Sequence, residues 1–140
     1  MDVVRVRPQV QDGAPLRTVL YVEDNSANLE LVEQLVMRHS DLHFLAATDG
    51  NLGIEFARTC LPEVILMDIN LPGISGLDAM RILRADPLTA HIPIIAISAN
   101  AMLRDIERAL AAGFWSYLTK PIKVNEFMDT LDRALAITSK

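Results

Sequence analysis

The sequence predicts a parallel α/β domain, a five-stranded sheet with helices on both faces. Three observations carry that prediction. Short apolar runs rich in β-branched residues recur along the chain. Between them, apolar residues repeat at helical spacing. The two kinds of segment alternate strictly, five of each, as βαβ crossovers require. The 140 residues suit one such domain, and at 51% hydrophobic they can bury a substantial core.

Each element has its own local reason. Residues 1–16 mix polar residues with Pro8, Gly13 and Pro15 and read as a tail or linker ahead of a domain over 17–138. Residues 18–22 (TVLYV) form a β-rich run of the kind buried on both sheet faces. Asn25 or Ser26 then caps a helix that lines up Leu29, Val32, Leu35 and Val36. A strand over 42–47 and a helix over 51–59 follow. Residues 63–67 (EVILM) form a buried strand leading into the turn Asn70-Leu71-Pro72-Gly73, and 76–84 a helix. The strand over 92–97 carries Pro93 near its start, where a missing N–H is tolerated. A helix over 101–112 ends at Gly113, with Met102, Ile106 and Leu110 as a core-facing stripe. A strand over 114–118 precedes the last helix, 124–137, which presents Phe127, Leu131 and Leu135 on one face. Phe114 and Trp115 read as packing residues.

Charge narrows the function. Thirteen basic and eighteen acidic residues leave a net charge of −5. That balance argues against non-specific attraction to nucleic acid or to an anionic membrane. No apolar run reaches the roughly 20 residues of a membrane helix, and the first residues lack the apolar stretch of a signal peptide. The single Cys60 rules out an internal disulfide and fits a cytoplasmic location. It reads as a small apolar filler near a helix end. His39, His43 and His91 lack a spacing that suggests metal or triad chemistry. Asp78, Asp86, Asp105 and Asp129 read as solvated or helix-face charges.

In parallel α/β sheets, ligands gather at the carboxyl ends of the strands. Glu23 and Asp24 follow the first strand, Asp68 ends the third, Ser98 the fourth, and Lys120 follows the fifth. The fold brings all five to one edge. Three close carboxylates repel one another, so such a pocket favours a hard divalent cation, and Mg²⁺ suits oxygen ligands. A carboxylate can act as a nucleophile toward a phosphoryl group. Mg²⁺, Lys120 and the Ser98 hydroxyl can each meet one phosphoryl oxygen, which is the positioning and neutralisation that phosphoryl transfer needs. Asn70 can turn its backbone carbonyl to the metal. Its amide side chain cannot serve as an acid or base.

These stretches resemble the receiver domain of two-component response regulators. The matching segments are VLYVEDN (19–25), VILMDINLPGISG (64–76), IIAISAN (94–100) and YLTKPI (117–122). Four ordered motifs at compatible spacings make the likeness specific. The resemblance implies a flavodoxin-like (βα)5 fold with strand order 2-1-3-4-5. It implies Asp68 as phosphoacceptor from the phosphohistidine of a histidine kinase or histidine phosphotransfer protein. Asp24, Asp68 and the Asn70 carbonyl would ligate Mg²⁺, with Glu23 acting through a bound water. Ser98 and Tyr117 would form the switch, and Lys120 would pair with a phosphoryl oxygen. The Lys120-Pro121 bond is commonly cis in this family. Such a domain promotes its own aspartyl phosphorylation and dephosphorylation without being a conventional enzyme. Two departures stand out: Glu23 in place of the more frequent Asp, and the aromatic Phe114-Trp115 where many relatives carry small or acidic residues.

Two other classes fit less well. An aspartyl phosphatase would want a carboxylate in place of Asn70 and a cap-sized insertion. A flavin module would want Ser, Thr and Gly after the first strand, where Glu23-Asp24 would repel phosphate. The run 97–122 also resembles receivers of hybrid sensor kinases, beside which a single-domain regulator is nearly as plausible. A homodimer through the last helices is a further expectation.

Overall fold

The structure is a computed structural model and describes residues 17–138. The tail or linker expected over 1–16 lies outside the described residues. In chain order the elements are β1 (Arg17–Val22), α1 (Ser26–Val36), β2 (Leu42–Ala47), α2 (Gly50–Cys60) and β3 (Val64–Asp68), then α3 (Gly76–Ala85), β4 (Ile94–Ser98), α4 (Leu103–Ala112), β5 (Ser116–Thr119) and α5 (Val124–Thr138). The strands form one sheet in the order β2-β1-β3-β4-β5. All four neighbouring pairs are parallel. This is the order implied by the flavodoxin-like resemblance.

Alternation along the strands splits the core into two layers. Val19, Tyr21, Val64, Leu66, Ile95 and Ile97 face α1 and α5 and pack on Leu29, Val32, Leu131 and Leu135. Leu20, Val22, Ile65, Met67, Ile94 and Ala96 face the other way, onto Ile54 of α2, Met80 and Leu83 of α3 and Ala109 of α4. β3 and β4 are buried along their whole length. This is why they read as unbroken apolar runs rather than as alternating ones.

Caps fix where the helices start. The side chain of Asn25 accepts a hydrogen bond from the Asn28 N–H at 2.9 Å and sets the start of α1. Asp49 and Ser75 do the same for α2 and α3. Gly76, the first residue of α3, lies against the backbone of Asp68. A Cβ there would collide with the Asp68 carbonyl oxygen and stand 2.8 Å from Ile69 Cα. Only glycine lets α3 begin this close to the end of β3.

Several expectations are corrected. β4 begins at Ile94, so Pro93 precedes the strand instead of opening it. α4 begins at Leu103, and its only buried residue is Ala109. Met102 is 62% exposed and Leu110 41% exposed, so the stripe at 102, 106 and 110 does not face the core. α4 approaches the sheet through Ala109 and Ala112, and the bulkier side chains point outward. Cys60 is exposed at the end of α2 and fills no core space. Asp86 is half-buried rather than solvated: it pairs with Arg58 Nε at 2.8 Å and accepts from the Leu88 N–H at 2.9 Å. Phe114 is buried beside α4, and Trp115 packs on the α1/α5 layer beneath Arg133, whose guanidinium carbon lies 5.9 Å from the ring centroid. Both aromatics are therefore packing residues. Among the described residues, no helix is long and apolar enough to cross a membrane.

Candidate functional site at the carboxyl edge of the sheet

Period-two geometry places Glu23 on the same side of the chain as Tyr21. The Glu23 N–H donates to Ala47 O at 2.9 Å and extends the β1–β2 pairing by one residue. Its side chain is 1% exposed. Glu23 Oε1 accepts from the Tyr21 hydroxyl at 2.8 Å, from Lys120 Nζ at 3.1 Å and from Asn28 Nδ2 at 3.4 Å. Oε2 accepts from the Asn25 N–H at 3.2 Å. Asp24, the next residue, is exposed at the rim.

Asp68 ends β3 and is 3% exposed. Its Oδ1 accepts from the Asn70 N–H at 3.3 Å and lies 3.4 Å from Lys120 Nζ. Lys120 is held in place from the backbone: its N–H donates to Ser98 O at 2.8 Å. The Lys120-Pro121 bond that follows is cis. Glu23, Asp24 and Asp68 each offer a carboxylate oxygen, and these oxygens lie within 4.8 Å of one another. Oxygen donors alone, three of them anionic, form a set that fits a hard divalent cation and not a soft one.

Burial sets the electrostatics. It pushes the Asp68 carboxyl up to about 6; the Glu23 charge adds to the rise, and Lys120 opposes it. Burial also works against an ionised Glu23. There the Tyr21 hydroxyl, the Lys120 ammonium and the Asn25 N–H outweigh it and hold the carboxyl below its ordinary range. The Tyr21 phenol is pushed upward, first by burial and then by Glu23. The Tyr21 hydroxyl therefore keeps its proton and donates a hydrogen bond to the ionised Glu23 carboxylate.

The sequence-predicted residues fall into two groups. Glu23, Asp24, Asp68 and Lys120 converge in one pocket. Asn70 stands next to it, joined to Asp68 through its N–H, with its side chain exposed. Ser98 lies one residue beyond Ile97, the register partner of Asp68. Its Oγ accepts from the Asn100 N–H at 3.1 Å. Tyr117 is tied to the same loop, its hydroxyl donating to Asn100 O at 2.7 Å. A groove of about 690 Å³ runs beside these residues, with Asn70, Ser98, Asn100 and Tyr117 along its walls and Ala109 of α4 on its far side. Tyr21, Asn28 and Asn100 were not singled out from sequence. Tyr21 had a signal, since it is a phenol in an otherwise aliphatic strand, two residues before an acid.

A parallel sheet of this order, with an acidic cluster at its carboxyl edge, is a flavodoxin-like α/β domain. The family model of the response regulator receiver domain matches residues 19–132, and the chain belongs to that family. It is a receiver domain of two-component signalling, a family whose role is that of a phosphoacceptor. The chain is 38% identical over 115 residues to the polar-differentiation response regulator DivK of Brucella anthropi, covering 82% of this chain and 93% of that protein. The receiver domain of the sensor histidine kinase PA1611 from Pseudomonas aeruginosa PAO1 is 34% identical, with a TM-score of 0.78 over 86% of this chain and 98% of that one. That crystal structure has a magnesium ion coordinated in its active site cleft. A putative response regulator from Chloroflexus aurantiacus is 29% identical, with a TM-score of 0.79 over 86% and 98% of the two chains.

Proposed function

We propose that this receiver domain accepts a phosphoryl group on Asp68 from a phosphohistidine of a histidine kinase or a histidine phosphotransfer protein. The observation that carries the reading is the convergence of Glu23, Asp24, Asp68 and Lys120 in one pocket at the carboxyl edge of the sheet. A carboxylate oxygen of Asp68 attacks phosphorus, and the bond to the donor nitrogen breaks. The electron pair leaves with the imidazole. Lys120, already within 3.4 Å of Asp68 Oδ1, meets a phosphoryl oxygen. Ser98 donates its hydroxyl to a second one. Glu23, Asp24, Asp68 and the Asn70 carbonyl would hold Mg²⁺, with Glu23 reaching it through water. When bound, it would supply positive charge to the phosphoryl oxygens.

The same residues connect the site to the surface. Moving Ser98 toward the phosphoryl group disturbs its bond with Asn100, and Tyr117 is held by that same residue. Tyr117 then turns into the adjoining groove, and the face formed by α4, β5 and α5 changes what it binds. Asn70 offers no acid or base for hydrolysis, so the aspartyl phosphate lasts long enough to signal. The domain promotes its own phosphorylation and dephosphorylation and works in the cytoplasm. Dimerisation through α4 and α5 is a further part of this reading.

Incubation with a small phosphodonor and Mg²⁺ followed by intact-mass measurement tests the proposal. One added phosphoryl mass is expected, and it disappears in Asp68→Asn. No added mass, or a mass that survives Asp68→Asn, overturns it.

A further inference from the structure

Glu23 is surrounded by more donors than a metal-binding carboxylate requires. Three of them meet on Oε1: Tyr21 Oη at 2.8 Å, Lys120 Nζ at 3.1 Å and Asn28 Nδ2 at 3.4 Å. The shortest of the three comes from Tyr21, a fully buried side chain whose hydroxyl bonds Glu23 and not Asp68 or Lys120. Its ring is locked in the layer between β1 and α1/α5, so its hydroxyl has little freedom to point elsewhere.

The proposed reaction makes a demand on this oxygen. Lys120 has to leave Glu23 to meet a phosphoryl oxygen. Glu23 is 1% exposed, so apart from the metal-bound water proposed above no solvent easily replaces the lost donor at Oε1. Removing one partner of a buried pair strands the other charge, which is far more costly than losing a surface contact. With Lys120 as its principal donor, Glu23 would hold the ammonium back.

We infer that Tyr21, assisted by Asn28, is a positioning residue: it keeps Glu23 Oε1 satisfied when Lys120 is handed over to the phosphoryl group. The inference rests on phosphorylation at Asp68 as proposed above. The sequence supports it through geometry alone, since residues two apart on a strand share a side. Tyr21 therefore acts through Glu23 and Lys120 rather than on phosphorus.

Tyr21→Phe removes the hydroxyl and keeps the ring. With a small phosphodonor and saturating Mg²⁺, the phosphorylation rate is expected to fall about tenfold, the equivalent of one hydrogen bond to a charged group. In a Glu23→Gln background the same substitution changes the rate by no more than about twofold, because the charge that held Lys120 is gone. In a crystal structure of metal-free Tyr21→Phe, Lys120 Nζ moves closer to Glu23 and lies farther than 3.4 Å from Asp68 Oδ1. Asn28→Ala, at the outer side of the same oxygen, lowers the rate in the same direction by a smaller factor and does not disturb the core. A wild-type rate in Tyr21→Phe with Lys120 unmoved overturns the inference. So does an equal loss in both backgrounds, which marks a structural role only. Wild-type protein that gains no phosphoryl group overturns the function and this inference together, whereas the position of Lys120 in the metal-free variant is read without any phosphorylation.

Discussion

Asp68, the proposed nucleophile, is kept at a cost to the fold. Its carboxyl is buried beside another acid, and its pKa rises from the ordinary 3.8 to about 6. A carboxylate raised in the folded state destabilises that state when ionised. The penalty is full above about pH 6 and disappears as the pH falls toward 4. It amounts to on the order of 2–3 kcal/mol for a shift of this size. In metal-free protein, Asp68→Asn is therefore expected to be more stable than wild type at pH 7.5, with the gap closing between pH 6 and 4. Urea denaturation of both proteins at several pH values in chelator measures it. Comparing the two cancels the histidines, which titrate in both. A gap that does not change with pH would mean that Asp68 is not the strained group. Gly76 is the backbone counterpart. Any side chain there strikes the Asp68 carbonyl, so the position of Asp68 depends on a residue without chemistry of its own.

Helix α2 carries a local strain unrelated to the site. It is capped by Leu61, which adopts the left-handed conformation at φ 47 and is 48% exposed. Its N–H closes the helix onto Ala57 O, so the geometry is useful although the residue is poorly suited to it. Glycine adopts this conformation without the Cβ penalty. Leu61→Gly is expected to stabilise the domain by about 1 kcal/mol, because the exposed side chain gives little back through burial. A denaturant midpoint at or below that of wild type would show that Leu61 packs more usefully than its exposure suggests. α4 differs from the other helices in another way. It is anchored by Ala109, and Met102, Leu103 and Leu110 lie outward. Periodicity located the helix but assigned its apolar stripe to the core. Spacing alone cannot say which face a helix buries when its contact with the sheet is made by alanines.

Taken whole, the molecule separates what patterning determines from what it leaves open. β1 from Val19 on, β3 and β4 were legible because they have no solvent side, so their apolar runs are unbroken. The convergence of Glu23, Asp24, Asp68 and Lys120 was legible because four ordered motifs put them together at strand ends; each residue alone had an ordinary structural reading. Tyr21 was hidden, since an aromatic in a strand normally reads as core, and here it is core and site at once. Cys60 was misread because helix position does not fix exposure at a last turn. The acidic cluster then links the site to the stability of the entire fold. Three carboxylates within 4.8 Å repel in the folded chain and are far apart in the unfolded one. A divalent cation that binds the folded state stabilises it by about 2.7 kcal/mol at a hundredfold excess over its Kd. For a domain of this size that is a Tm increase of roughly 10 °C. The increase is expected with Mg²⁺ and absent with Na⁺ at matched ionic strength. Asp24→Asn should abolish most of it, since Asp24 contributes one of the three oxygens. Asp129→Asn, which removes an exposed charge paired with Arg133 on α5, should leave it intact. If scanning calorimetry gives the same Mg²⁺ shift in all three proteins, the cation is binding elsewhere and the carboxyl edge of the sheet is not its site.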